Sequence, residues 1–188
     1  MCNPDGHEAV PIMAGMSSGA RRWLAGLALC AGACTPALNW REVRLDGGAL
    51  ALFPCKPEHQ TRTLTLVGQP VALTLHACEA TGLRFAVAQA DVQDPARVEA
   101  VLAALAAAQA RNLQAPLPPG DAAQVPGMTP NPQARRYALS GRRPDGAAVQ
   151  AQLLLFARGT QVLQATVLEG APDTPAVHTF MDALRVPG

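Results

Sequence analysis

Residues 62–92, RTLTLVGQPVALTLHACEATGLRFAVAQADV, decide the class of fold. "RTLTLVG" and "PVALTLHAC" are separated by Gly68 to Pro70 and read as a β-hairpin. In the second run Val71, Leu73, Leu75 and Ala77 share one face, while Thr74, His76 and Cys78 share the other. "LRFAVAQADV" (83–92) repeats the alternation, with Leu83, Phe85 and Val87 pointing inward. Short runs joined locally favour an antiparallel meander over a parallel sheet.

Upstream, "ALALF" (49–53) reads as a first strand, stopped by the turn-forming "PCKP". Downstream, Asp94 is an N-cap and Pro95 suits the first helical position. Val98, Val101, Leu102 and Leu105 then fall at the spacing of one buried helical stripe, and the alanines up to Ala110 allow close approach to a sheet. The segment from Pro116 to Pro132 holds six prolines and two glycines, which predicts an irregular loop with room for one short strand. "ARRYALSG", "AAVQAQLLLFARG" and "TQVLQATVLEG" predict three more strands. A last helix is expected from Thr174, with Val177, Phe180, Met181 and Leu184 as its stripe. The expected fold is α+β: an antiparallel sheet of about six strands flanked by two helices, both covering the sheet.

The amino-terminal segment has a different character. Arg21 and Arg22 precede 11 uncharged residues, Trp23 to Ala33, too few to span a bilayer, which takes about 20. A positive region, a short apolar run and small residues before a cut define a secretory signal peptide. Residues 1–33 fill that pattern, with the cut between Ala33 and Cys34. The first 12 residues carry Asp5 and Glu8 and do not suit such a leader, so a start at Met13 or Met16 is expected. "AGAC" (31–34) resembles the lipobox of bacterial lipoproteins, whose cysteine receives the lipid; Ala31 stands where leucine is usual. The resemblance implies a diacylglycerol and a further acyl group on Cys34, enough chains for stable anchoring. Thr35, rather than aspartate, follows the cysteine, and in Gram-negative lipoproteins this resembles the outer-membrane sorting pattern. The expected location is the outer membrane, facing the periplasm. The inner membrane, the soluble periplasm after a plain cut, and an uncleaved anchor are the alternatives. Residues 34–48 then form a lipidated tether and lead-in segment, and 49–188 a single domain.

Removing 33 of 188 residues leaves 155, enough for one domain with a real core. That part keeps 13 basic and 12 acidic residues, so no overall charge directs it to nucleic acid. Aromatic residues make up 4% of the chain, too few for base-stacking platforms.

The "LFPCKP" turn (52–57), the middle helix and the closing "FMDALRV" (180–186) together resemble the PsbP-like family of small bacterial lipoproteins, over roughly residues 40 to 186. The resemblance implies an α/β/α sandwich and an accessory or binding role, as in photosystem II and nuclear transport, without catalysis. It carries over no functional residue, because the family has no common site to match.

Chemistry is sparse. Once Cys34 is acylated, Cys55 and Cys78 are the remaining thiols after the cut, and in an exported protein such a pair is expected to form a disulfide. The alternative is a metal site, since His59 follows Cys55 by four residues and His76 precedes Cys78 by two. Cys55, His59, His76 and Cys78 form a set that zinc or copper accepts. Arg135, Arg136, Arg142 and Arg143 lie near one hairpin and could meet lipid headgroups or an acidic partner, against the alternative of a solvated surface. Ser140 is the single serine after the cut and has no nucleophile-elbow context. His178 and Asp182 lie one helical turn apart, as an exposed pair would. No phosphate loop, zinc-protease pattern or dinucleotide fingerprint occurs, and no cofactor is expected. The expected protein is a lipid-anchored, non-catalytic binding or accessory module of the cell envelope, with the membrane and an envelope protein as its partners. A metal-handling protein and a hydrolase are the alternatives.

Overall fold

In the two-residue turns Val67-Gly68 and Thr81-Gly82 every φ is positive, +48°, +74°, +51° and +77°. This backbone matches the right-handed twist of flanking strands and folds the 62–92 stretch back on itself twice. The resulting strands are β3 (Glu58–Leu66), β4 (Gln69–Ala80) and β5 (Leu83–Asp91). Pro70 stands near the start of β4, opposite Thr65 and beyond the reach of β5, whose pairing with β4 begins at Leu73. A residue without an N–H is tolerated there because no ladder bond is lost.

The computed structural model describes residues 38–187. The expected leader, its cut and the lipidated Cys34 lie outside the described residues. Before β3 come β1 (Arg41–Arg44) and β2 (Leu50–Phe53), and after β5 comes a single 3₁₀ turn, Pro95–Arg97. Asp94 caps that turn, its Oδ1 accepting from the Ala96 N–H at 2.9 Å, and the chain runs straight into α1 (Val98–Asn112). Then follow β6 (Asp121–Ala122), β7 (Arg135–Arg142), β8 (Ala148–Arg158), β9 (Gln161–Leu168) and α2 (Pro175–Asp182).

The main sheet has seven antiparallel strands in the order β3-β4-β5-β9-β8-β7-β6. The fold is α+β as expected, with two corrections. "ALALF" does not join the main sheet; β2 pairs with β1 in a separate two-stranded sheet, Arg41 opposite Phe53 and Arg44 opposite Leu50. The segment 34–48, expected to be a lipidated tether and lead-in, contains the strand β1 in its lead-in part. Its sequence, REVR, holds one apolar residue, so alternation could not announce it. The count of about six strands becomes seven in the main sheet because Asp121–Ala122 adds a short edge strand inside the proline-rich loop.

Both faces of the sheet are covered. On one, Leu153 and Leu155 of β8 and Leu139 of β7 share a cluster with Val101, Leu102 and Leu105 of α1. On the other, Leu154, Phe156, Phe85 and Val87 share a cluster with Val177, Phe180, Met181 and Leu184 and with Ala51 and Phe53 of β2. Phe180 meets Phe53 and Phe85 edge-to-face, at ring-centroid distances of 5.3 and 5.2 Å. Such pairs add about 1 kcal/mol each beyond the area they bury. The β1–β2 hairpin thus shares the second face with α2. The carboxy-terminal segment also closes the hairpin's outer side, where Leu50 and Arg185 exchange backbone hydrogen bonds of 2.8 and 3.2 Å.

Candidate functional site

Around the turn after β2, the structure joins Cys55 to Cys78 of β4, with Cα atoms 6.0 Å apart. A disulfide needs that separation at about 7 Å or less. The bond fastens the β1–β2 hairpin to the main sheet across a sequence separation of 23 residues. It also spends the two sulfurs that the metal alternative required. His59 and His76 remain side by side, directly opposite in the β3–β4 register, with rings stacked at 5.6 Å and 26°. Among the described residues no group of three or more His, Cys, Asp or Glu side chains is disposed to hold a metal ion.

His76 belongs to a buried polar row that sequence reasoning did not single out. Thr74, His76 and Gln89 are all buried, and Thr74 lies opposite Gln89 on β5. Thr74 shares a hydrogen bond of 2.9 Å with Thr61 across the β3–β4 pair. The Nε2 of His76 is buried without a hydrogen-bond partner among the described residues. Burial pushes the His76 pKa down; Asp46, in the turn of the β1–β2 hairpin, pulls it up, and the His59 charge lowers it further. A charged imidazole there would lose its hydration without full compensation, so the neutral form is favoured. The row was visible in the sequence as the polar half of an alternating strand. Alternation reads such a face as solvated, and only the hairpin laid over it makes it interior.

The four arginines are not brought together. Arg135 and Arg142 stand at the two ends of the eight-residue β7, which at about 3.4 Å per residue is roughly 24 Å apart. Each guanidinium has a partner within the protein. Arg135 donates to the carbonyls of Pro132, Pro119 and Gly120, and Arg142 to that of Gly146. Arg136 pairs with Asp182 at 2.7 Å, and Arg143 pairs with Glu169.

The Arg136–Asp182 contact also redirects the expected His178–Asp182 pair, since the carboxylate turns to the sheet. His178 instead lines a cleft of about 210 Å³ between α2 and β6 to β8, with Asp121, Arg136, Gln152, Val177 and Met181. No serine, threonine or cysteine lines this cleft. Ser140 lies on the rim of another open depression, beside Gln150 and Glu169, with no histidine among its lining residues. Ser140 and His178 therefore line different depressions, and the structure does not bring this serine and this histidine together.

No protein-family model matches this chain, and neither curated proteins nor solved structures gave a significant match.

Proposed function

We propose that this chain is an exported lipoprotein, anchored in the outer membrane through acyl groups on Cys34, whose domain is a non-catalytic binding or accessory module. The observation that carries the proposal is the Cys55–Cys78 bond, because disulfides persist in oxidising compartments such as the periplasm and are rare in the cytosol. The leader-like run before Cys34 supports the same address from an independent part of the chain. The order of strands and helices, with helices on opposite faces of an antiparallel sheet, favours a PsbP-like relationship within that proposal.

Intact-mass analysis of the native product is the test. The expected mass lacks residues 1–33, carries the added hydrocarbon, and is two hydrogens lighter than the dithiol form. A product with the leader attached and no lipid ends the lipoprotein reading. Capture of envelope proteins by the native lipoprotein then tests the binding role, with a non-lipidated Cys34→Ser form separating protein partners from membrane association.

A further inference from the structure

The two edges of the main sheet are treated differently. At one, β7 is flanked by the two-residue β6, and further along its Arg142 N–H donates to the Leu113 carbonyl of the helix-end loop at 2.6 Å. At the other, β3 presents nine consecutive residues, eight of them exposed, and no strand among the described residues pairs with its outer side. In a two-residue hairpin the residues flanking the turn are a hydrogen-bonded pair, here Leu66 and Gln69. Counting back, the backbone N–H and C=O groups of Thr65, Thr63, Thr61 and His59 point outward. Natural edge strands are commonly blunted by proline, bulges, charge or shortness. β3 contains no proline, its nine pairings with β4 run without a bulge, and its charged residues are Glu58 and Arg62. Exposed Leu64 and Val67, 44% and 48% accessible, lie on this strand and its turn.

We propose that β3 is a self-association edge, pairing antiparallel with β3 of a second copy about a two-fold axis at Thr61. With one acid, Glu58, and one base, Arg62, the strand is complementary in charge to a second copy of itself, and these charges select the register. A two-fold pairing with full overlap would centre on Arg62 and set that cation against its own copy, and like charges directly opposite destabilise a sheet. Centring on Thr63 instead leaves the two Arg62 side chains diagonal to one another and Glu58 without a counterpart. Centring on Thr61 opposes Gln60 to Arg62 of the second copy and places Glu58 diagonal to that same arginine, twice by symmetry. Gln60 Oε1 already accepts from Arg62 within the strand at 3.1 Å, so it is suited to accept from the facing one. Seven residues, 58–64, overlap in this register, and the outward groups of His59, Thr61 and Thr63 find partners. This inference is independent of where the protein resides.

Sedimentation velocity on the full chain in detergent, with hydrogen exchange at the His59, Thr61 and Thr63 amides, tests it. The wild type is expected to dimerise and to protect those amides as concentration rises. Arg62→Glu, which places an acid diagonal to Glu58 of the second copy, should weaken the dimer by about tenfold, and the exchanged pair Glu58→Arg/Arg62→Glu should recover most of that loss. Thr63→Pro removes an outward N–H without touching the β4 ladder and should give a monomer whose far-UV circular dichroism is native. A wild type that stays monomeric at all concentrations overturns the proposal. A dimer indifferent to Arg62→Glu and Thr63→Pro does the same. So does protection of these amides only when a different protein is bound, which would assign the edge to another occupant.

Discussion

His59 and His76 face one another across the β3–β4 pair with their rings stacked 5.6 Å apart, and the inner one, His76, keeps a buried Nε2 that bonds to nothing among the described residues. The pair sits beside the disulfide that ties β4 to the turn after β2. A neutral imidazole there is compatible with folding; a protonated one is opposed by burial.

Stability should therefore depend on pH through His76. Its folded pKa lies below the ordinary value of 6.5, so the unfolded chain binds the proton more readily. The contribution is fully present above about pH 6.5 and is lost as pH falls from there through the lowered folded value. Urea unfolding at pH 7.5 and pH 5.5 should show lower stability at the acid end, and His76→Leu should flatten that difference. An unchanged pH slope in the variant would assign the effect to other groups.

Removing the disulfide is expected to cost about 3 kcal/mol by the chain-entropy argument for a loop of this size. The comparison is wild type against Cys55→Ala/Cys78→Ala, by denaturant midpoint at constant slope. A loss below about 1 kcal/mol would mean that the hairpin holds its place on the sheet without the crosslink.

Phe180 is fully buried between Phe53 and Phe85 and joins α2 to both sheets. Phe180→Ala should cost about 3–5 kcal/mol, since the rigid surroundings can only partly close the space. Thermal unfolding followed by near-ultraviolet circular dichroism would register it. A loss near 1 kcal/mol would show that this layer collapses freely.

Gly127 and Gly146 form a matched pair. Both have strongly positive φ, +81° and +86°, but an added Cβ at Gly127 would lie 1.9 Å from the Val186 carbonyl oxygen, whereas at Gly146 it meets nothing within 4 Å. Each alanine variant carries the left-handed penalty of about 1–2 kcal/mol. Gly127→Ala must also push back the carboxy-terminal segment, which is held at this point by the Val186 N–H donating to Pro126 at 2.8 Å. Gly127→Ala is expected to melt clearly below Gly146→Ala, and equal melting temperatures would contradict the close approach.

Sequence alone located most of the secondary structure. The meander of residues 62–92 was legible because its apolar residues alternate and its turns carry glycine, and α1 because Val98, Val101, Leu102 and Leu105 form a stripe. The Cys55–Cys78 pairing was legible because, past the expected cut and Cys34, no other thiol remains. These are local or counting signals, and they survive whatever the rest of the chain does.

What only the tertiary structure decided is which surfaces meet. Thr74, His76 and Gln89 become interior because the β1–β2 hairpin is laid over one face of the sheet, and REVR carries no pattern that foretells a strand there. Asp182 chose Arg136, 46 residues away, over its helical neighbour His178, and the four arginines were dispersed to separate partners. Burial and pairing of this kind depend on elements distant in sequence, and periodicity within one element holds no information about what will cover it.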